Sequence, residues 1–137
     1  MVDVSTPYGQ RTQERLESEQ VVWLVTTGKD GTPQPNPVWF LWHDGKALIF
    51  SEPNQSKIRN IERTGRVALH FNDKEGGDVT VLTGAAAVTD AVPSDDVLQA
   101  YLAKYDAGIK SLGLTMDTMV EKYSAVLWVT PEKVRGH

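Results

Sequence analysis

An Asp-Gly pair between two apolar runs is the feature that most restricts how this chain can fold. Asp44-Gly45 separates Val38-Trp39-Phe40-Leu41-Trp42 from Lys46-Ala47-Leu48-Ile49-Phe50-Ser51. Asp-Gly is typical of the tight turn in a β-hairpin, and a connection this short joins antiparallel strands. The two runs are therefore predicted to be antiparallel neighbours in a sheet.

Four more segments have the residue pattern of strands, and polar turns or short helices separate them. They are residues 21–27, 66–72, 78–89 and 125–130. Gly84 interrupts the third of these and predicts a bulge or a bend, whereas Pro131 is expected to end the last strand. Residues 32–37 contain three prolines, so this stretch is predicted to be extended but poorly suited to a central strand.

Helices are expected at four places, and two of them come late in the chain. They are residues 9–20, residues 56–63, a helix over 95–105 capped by Ser94, and one that runs from a Thr115 cap to Tyr123. A doubly wound sheet would need helical crossovers between parallel strands, and this order does not supply them. The pattern instead predicts a mainly β fold, a six-stranded antiparallel barrel with peripheral helices. Its 137 residues fit one domain, with residues 1–8 expected to be loose.

Composition excludes several classes of function. The chain has 14 Lys and Arg against 18 Asp and Glu, and its net charge of −4 disfavours a general nucleic-acid binder. It has no cysteine, so disulfides, zinc-thiolate sites and cysteine nucleophiles are excluded. His43, His70 and His137 lack metal-ligand spacing, and no metal site is predicted. No apolar run is long enough for a membrane span, and the polar start lacks a secretory signal, so a cytoplasmic protein is expected.

Two predicted strands are apolar on both faces. In Val38–Trp42 and Val126–Val129 the apolar residues are continuous instead of alternating with polar ones. One face can fill a barrel, but the other also needs a cover. The chain's own helices, a second subunit or a flat ligand could each provide it, and homodimer interfaces commonly use aromatic anchors.

A basic segment coincides with the start of a predicted helix. Residues 56–70 carry four basic side chains against Glu62 alone, a local charge of +3 in an acidic chain. Cations at a helix N-terminus oppose its dipole, whereas a bound anion there would be favoured by the free backbone N–H groups. Lys57 could supply charge to a phosphate, and Ser51, Gln55 and Ser56 neutral donors. The alternative is a solvated helix whose lysine makes no contact.

In their order and spacing, several runs resemble a known family. They are Pro37-Val38-Trp39-Phe40, Leu48-Ile49-Phe50-Ser51, Ser56-Lys57-Ile58-Arg59-Asn60-Ile61, Arg66-Val67-Ala68-Leu69-His70-Phe71 and the ending from Ala125 to Gly136. Together they are similar to the pyridoxamine 5′-phosphate oxidase-like split β-barrel proteins, most of all to the actinobacterial branch that uses the deazaflavin coenzyme F420. The resemblance extends from about Arg15 to Gly136.

The resemblance implies an FMN-binding-like split barrel that forms a homodimer with two cofactor sites at its interface. The residues that it assigns to the cofactor are Pro37, Val38, Trp39, Ser51, Gln55, Ser56, Lys57 and Asn60. The first three would lie along the ring system, the next four would face the ribityl chain and phosphate, and the last would lie nearby. Many relatives have an arginine immediately before the helix lysine, where this chain has Ser56, so more of the phosphate binding would fall to Lys57.

The activity implied is that of an oxidoreductase that transfers hydride from F420 to an electron-poor small molecule such as a quinone, an activated alkene or an imine. No catalytic side chain is assigned, because the cofactor carries the chemistry. Two alternatives remain: an FMN-dependent oxidase or reductase of the same fold, and a non-catalytic protein that binds F420, flavin or haem.

Other aromatic residues and histidines are expected to have mainly structural roles. Packing is predicted for the late tyrosines, Tyr101, Tyr105 and Tyr123, and core or interface positions for Trp23 and Trp42. Trp39 and Trp128 are the better candidates for lining a planar ligand. His43 is expected to face solvent beside its turn, and His70 to lie on a polar or interface face of its strand.

Overall fold

The computed structural model describes residues 2–73 and 75–136, so Met1, Lys74 and His137 lie outside the described residues, with the predictions that fall on them. The elements follow one another as α1 (Pro7–Ser18), β1 (Val22–Thr27), β2 (Pro33–Val38), β3 (Leu41–His43), β4 (Lys46–Ser51), α2 (Ser56–Thr64), β5 (Arg66–His70), β6 (Thr80–Thr89), α3 (Asp95–Ser111), α4 (Met116–Lys122) and β7 (Ala125–Gly136).

The described strands form one antiparallel sheet in the order β2-β1-β5-β6-β7-β4-β3. Its two edge strands, β2 and β3, are consecutive in the chain, and only Trp39 and Phe40 separate them. Such a short connection spans no more than about 10 Å, so the sheet has to curl until its edges approach each other. The predicted mainly β, antiparallel barrel architecture is therefore confirmed, in a sheet that the β2–β3 connection closes.

The described residues form seven strands, and the prediction of six was wrong because residues 33–38 form an edge strand. Pro33, Pro35 and Pro37 alternate along β2, which puts all three on the side of the strand that faces away from β1. A missing N–H group costs least on that side. The prediction of one continuous strand from Val38 to Trp42 was also wrong, because the chain crosses there from one edge of the sheet to the other.

The pairing of β6 with β7 is interrupted by a bulge at Gly84, one of the two irregularities predicted there. Thr83 pairs with Lys133 but Gly84 pairs with Pro131, so one extra residue lies on β7. A Cβ on residue 84 would overlap the Thr130 carbonyl oxygen, which explains the glycine. Pro131 lies at this interruption of the ladder and does not end the strand, contrary to the prediction; β7 continues to Gly136.

Three helices lie close to their predicted positions and one is longer. Gly65 ends α2 as expected, and Thr115 caps α4 through a reciprocal capping box. Ser94 lies at the cap position of α3, although its side chain makes no capping hydrogen bond to a described residue. The predicted end of α3 at Tyr105 was wrong: that residue is non-helical (φ −117°, ψ 17°), but it marks a kink after which the helix continues to Ser111.

Two apolar clusters lie on opposite sides of the sheet. The barrel interior contains Leu24, Ile49, Leu69, Leu82 and Leu127, all at most 1% exposed. A second cluster fills the space between the outer face of β3, β4 and β7 and the helices α3 and α4; it includes Leu48, Val97, Tyr101, Tyr105 and Val126. The chain's own helices therefore cover much of the second apolar face noted in the sequence. No helix in the described part of the chain is long and apolar enough to cross a membrane.

Candidate functional site

A cavity of about 530 Å³ lies where the end of β2, the end of β4 and the late helices meet. This volume is within the range of about 300–1,000 Å³ usual for small-molecule sites. The residues that line it are Val21, Pro37, Val38, Trp39, Phe50, Ser51, Glu52, Gln55, Lys57, Tyr101, Leu112, Met119 and Tyr123. The sheet and α2 thus contribute most of the polar groups, and the late helices mainly aromatic and apolar ones.

Most of the site residues expected from the sequence meet at this cavity. It is lined by Pro37, Val38, Trp39, Ser51, Gln55 and Lys57. Ser56 lines a neighbouring polar cavity of about 260 Å³ that shares Gln55 and Lys57 with the first. Among the described residues that line the two cavities, Asn60 is absent.

Asn60 is instead used for packing α2 against the sheet. It is 4% exposed, and its Nδ2 donates to Thr26 Oγ1 at 3.0 Å and to Gln34 Oε1 at 2.9 Å. Its Oδ1 accepts from Arg63 Nη1 at 3.3 Å. Because Gln34 lines the smaller cavity, the structural contribution of Asn60 to a site is to orient this glutamine.

The polar end of the cavity lies at the first turn of α2. The N-cap residue Gln55 makes no side-chain capping bond within the described chain, and the first turn contains no acidic residue. Lys57 makes no hydrogen bond or ion pair with a described residue. Burial lowers the pKa of Lys57, and nearby Glu52 opposes that shift. A partly buried cation beside free helix N–H groups is a favourable place for an anion.

The other cations of the basic segment are already engaged. Arg59 donates to the Asn54 carbonyl at 2.8 Å, and Arg66 is paired with Glu132 at 2.7 Å. Arg63 donates to the Thr27 carbonyl as well as to α2. The local charge of +3 is therefore distributed over separate contacts, and of these four basic side chains Lys57 is the one that lines the cavity.

One carboxylate also reaches this end of the cavity. Glu52 lines the wall, and its Oε1 lies 3.9 Å from Lys122 Nζ on α4. Both side chains are about half exposed, so this pair is weak. It nevertheless places a cation beside the Glu52 carboxylate and reduces its repulsion of an anion near Lys57.

The aromatic wall is formed by Trp39 and held from behind by α3. The indole stacks on the Tyr105 ring with centroids 4.6 Å apart and planes 6° from parallel. A Cβ on residue 108 would come within 2.7 Å of the indole, so Gly108 permits this close approach. Trp128 packs against the second apolar cluster and does not appear in the cavity lining.

Sequence reasoning missed the part of the wall that comes from the late helices. Tyr101, Met119 and Tyr123 line the cavity, yet helical spacing predicted only packing for the tyrosines. Packing is part of their role, since the Tyr101 ring meets Phe50 edge-on at 4.8 Å. A single sequence does not show which of several buried tyrosines reaches a cavity.

The described histidines lie away from the cavity. His43 is exposed beside the hairpin turn, as predicted. His70 stacks on Trp23 with centroids 6.0 Å apart on the outer face of the sheet. The Trp23 indole N–H donates to Asn72 Oδ1 at 2.7 Å. Within residues 2–73 and 75–136, no group of three histidine or carboxylate side chains has the arrangement of a metal site.

Solved structures with the same fold include proteins of several descriptions. A conserved hypothetical protein, Rv2991 from Mycobacterium tuberculosis, has a TM-score of 0.72 at 20% identity, over 92% of this chain and 81% of its own. An F420 reductase has a TM-score of 0.66 at 24% identity, over 90% and 94%. HutZ from Vibrio cholerae, a haem storage protein, has a TM-score of 0.65 at 14% identity, over 93% and 92%.

These identities establish a shared fold and leave the cofactor open. A search of curated proteins finds no match to the chain. The family model described as pyridoxamine 5′-phosphate oxidase matches residues 9–137, which is nearly the whole sequence. The chain therefore belongs to the pyridoxamine 5′-phosphate oxidase family.

Proposed function

We propose that this protein is an F420-dependent oxidoreductase that transfers hydride to an electron-poor small molecule, namely a quinone, an activated alkene or an imine. The observation that carries the proposal is the two-part cavity, in which an aromatic wall at Trp39 and the cation of Lys57 share one space. This cation has no hydrogen bond or ion pair with a described residue. A flat ring system attached to a phosphate has the same two-part chemistry. The F420 reductase among the structures of this fold supports the choice of cofactor.

The residues at the cavity fit such a cofactor. Pro37, Val38 and Trp39 would pack along the ring, and Lys57 with the free N–H groups of α2 would bind the phosphate. Neutral donors are available from Gln55 and Ser56 at the same end, whereas the Ser51 hydroxyl already donates to the Glu52 carbonyl at 2.9 Å. Asn60 would act one step away, by fixing Gln34.

When bound, the cofactor supplies the hydride, and the acceptor takes up two electrons with one proton in that step and a second proton from solvent. The chain has to bind the cofactor and the acceptor, to orient them relative to each other, and to exclude water. The stacking of Trp39 on Tyr105 gives the ring a wall with little freedom to move. The apolar side chains from α3 and α4 reduce contact between water and the reacting atoms.

The proposed assembly is a homodimer with the cofactor sites at its interface. Trp23 and His70 form a partly exposed aromatic pair on the outer face of the sheet. Trp23 is paired in register with Pro37, which lines the cavity, so this outer face is continuous with the site. A monomer in analytical ultracentrifugation at micromolar concentration would refute the dimer.

FMN is the second candidate cofactor, because its ring and phosphate make the same demands on this cavity. Titration of the protein with F420, FMN and haemin, followed by tryptophan fluorescence, separates the possibilities. F420 is expected to quench fluorescence with the lowest Kd, since Trp39 lines the site. Tighter binding of FMN would favour the alternative function, an FMN-dependent oxidase or reductase of the same fold. A Soret band with haemin and no flavin-type binding would overturn the redox proposal.

Lys57→Ala tests the phosphate end of the site. Loss of a charge-assisted hydrogen bond costs about 1.5–3 kcal/mol, so the Kd for F420 should rise roughly 10- to 100-fold. Lys110→Ala is the matched control, because this lysine is exposed on α3 and paired with Asp106 at 3.0 Å. An equal Kd for Lys57→Ala and the control would show that the phosphate binds elsewhere.

A further inference from the structure

Tyr101 is almost completely buried, yet its hydroxyl has no hydrogen-bond partner among the described residues. The residue is 1% exposed, and its ring packs against Phe50 and Tyr105 at centroid distances of 4.8 and 4.9 Å. The hydroxyl makes no hydrogen bond to any residue that the structure describes. Buried tyrosines usually find such a partner, because an unpaired hydroxyl costs free energy.

Tyr101 is one of the residues that line the cavity. Within residues 2–73 and 75–136, Thr80 Oγ1 is the one fully buried side-chain oxygen or nitrogen without a partner. The unpartnered oxygen of Tyr101 therefore keeps some accessible surface, and the space that this residue lines is the cavity. A nearly buried donor at the wall of a cavity can donate a hydrogen bond to a ligand bound there.

The surroundings of Tyr101 specify the chemistry of that ligand. Phe50, Leu112 and Met119 are the apolar part of the neighbouring wall and Tyr123 is a second tyrosine there, whereas the cation Lys57 belongs to α2. Burial raises the pKa of Tyr101, so the phenol stays protonated at neutral pH and is available as a donor. A neutral molecule with a carbonyl oxygen fits an uncharged hydroxyl donor in a mainly apolar wall.

We infer that Tyr101 is the hydrogen-bond donor that selects a neutral, carbonyl-bearing acceptor, a quinone or an enone, at the helix side of the cavity. This inference rests on the proposed function and makes its substrate class more specific. The donor contacts the oxygen on which negative charge develops as the carbonyl compound is reduced, so the contact strengthens during the reaction. A site with a buried donor also discriminates against an analogue that lacks the acceptor oxygen.

The test compares two flat molecules of similar shape, 1,4-naphthoquinone and naphthalene, binding to wild-type protein and to Tyr101→Phe without cofactor. Because the chain has no cysteine, the quinone forms no thiol adduct. Wild type should prefer the quinone, and Tyr101→Phe should reduce this preference about 5- to 10-fold, through weaker quinone binding at similar naphthalene affinity. Tyr8→Phe is the control, since the Tyr8 hydroxyl contacts Val79 O at 3.5 Å, on another part of the molecule.

Kinetics and cofactor binding provide independent measurements. With reduced F420, Tyr101→Phe should lower kcat/KM for naphthoquinone roughly 10-fold and leave the Kd for F420 unchanged. The inference is overturned if wild type shows no preference for the quinone, if the preference survives in Tyr101→Phe, or if the variant loses cofactor affinity instead. Failure of wild type to bind F420 or FMN would count against the proposed function alone, because the ligand comparison needs no cofactor.

Discussion

Tyr105→Phe should destabilise the protein strongly, because one hydroxyl connects three segments of the chain. Tyr105 lies at the kink of α3 and is 3% exposed. Its oxygen accepts from the Phe40 N–H at 2.9 Å and lies within donating distance of two carbonyls, Gln20 O at 2.6 Å and Phe40 O at 2.9 Å. These contacts hold the β2–β3 connection, where the sheet closes.

The expected loss of stability follows from the groups left behind. The substitution removes one donated bond, worth about 1 kcal/mol, and leaves the Phe40 N–H buried without an acceptor, which costs about 1–3 kcal/mol. The Phe40 carbonyl still accepts from Lys104 Nζ at 2.7 Å, so it adds little to the loss of stability. The free energy of unfolding should therefore fall by about 2–4 kcal/mol, or roughly 10 °C in Tm for a domain of this size.

The assay is urea unfolding followed by tryptophan fluorescence, at one fixed protein concentration because association with a second copy would add stability. Tyr101→Phe is the matched comparison: it removes the same atom, but that hydroxyl has no partner among the described residues, and the stability should change by less than about 0.5 kcal/mol. The reasoning is refuted if Tyr105→Phe unfolds like wild type, or if both variants lose stability equally.

Two further outcomes follow from other contacts. Gly84→Ala should destabilise by roughly 1–3 kcal/mol in the same assay, because its Cβ would lie 2.8 Å from Pro131 Cα, whereas Ala87→Ser at an exposed position of β6 should be nearly neutral. Burial lowers the pKa of Lys104 to about 8, from 10.5 when unfolded. Between these pH values the unfolded chain holds a proton that the folded chain has released, so this group makes stability rise with pH. Lys104→Met should remove that rise, and an unchanged pH slope would contradict the shift.

The sequence was sufficient to predict elements defined by local chemistry. The Asp44-Gly45 turn, the bulge at Gly84 and the helix that ends at Gly65 each depend on residues whose backbone preferences are strong. Predictions failed where a distant contact decided the outcome. Pro131 does not end β7, because the bulge places it where the ladder is already interrupted. Tyr105 does not end α3, because the residues after the kink still pack on the sheet, as the burial of Ile109 shows.

In the candidate site, too, the sequence identifies residues with a local signal and misses those whose role depends on distant contacts. Lys57 could be selected from the sequence, because a cation in the first turn of a helix is locally unfavourable unless something compensates it. The sequence could not tell that Arg59 and Arg66 are engaged elsewhere, since one partner is a backbone carbonyl and the other, Glu132, lies 66 residues away. Tyr101 could not be selected either. Its spacing on α3 is that of a core residue, and only the three-dimensional arrangement shows that its hydroxyl has no acceptor within residues 2–73 and 75–136.

The kink residue links the stability of the fold to the shape of the cavity. The Tyr105 hydroxyl holds the β2–β3 connection, and the Tyr105 ring supports the Trp39 indole that forms the cavity wall. Changes at Tyr105 should therefore alter stability and ligand binding together. Tyr101, one helical turn earlier, has a hydroxyl with no partner in the part of the chain that the structure describes, so its removal should change ligand selection without this cost. Substrate preference can thus vary at Tyr101 while the sheet closure that positions the site stays intact.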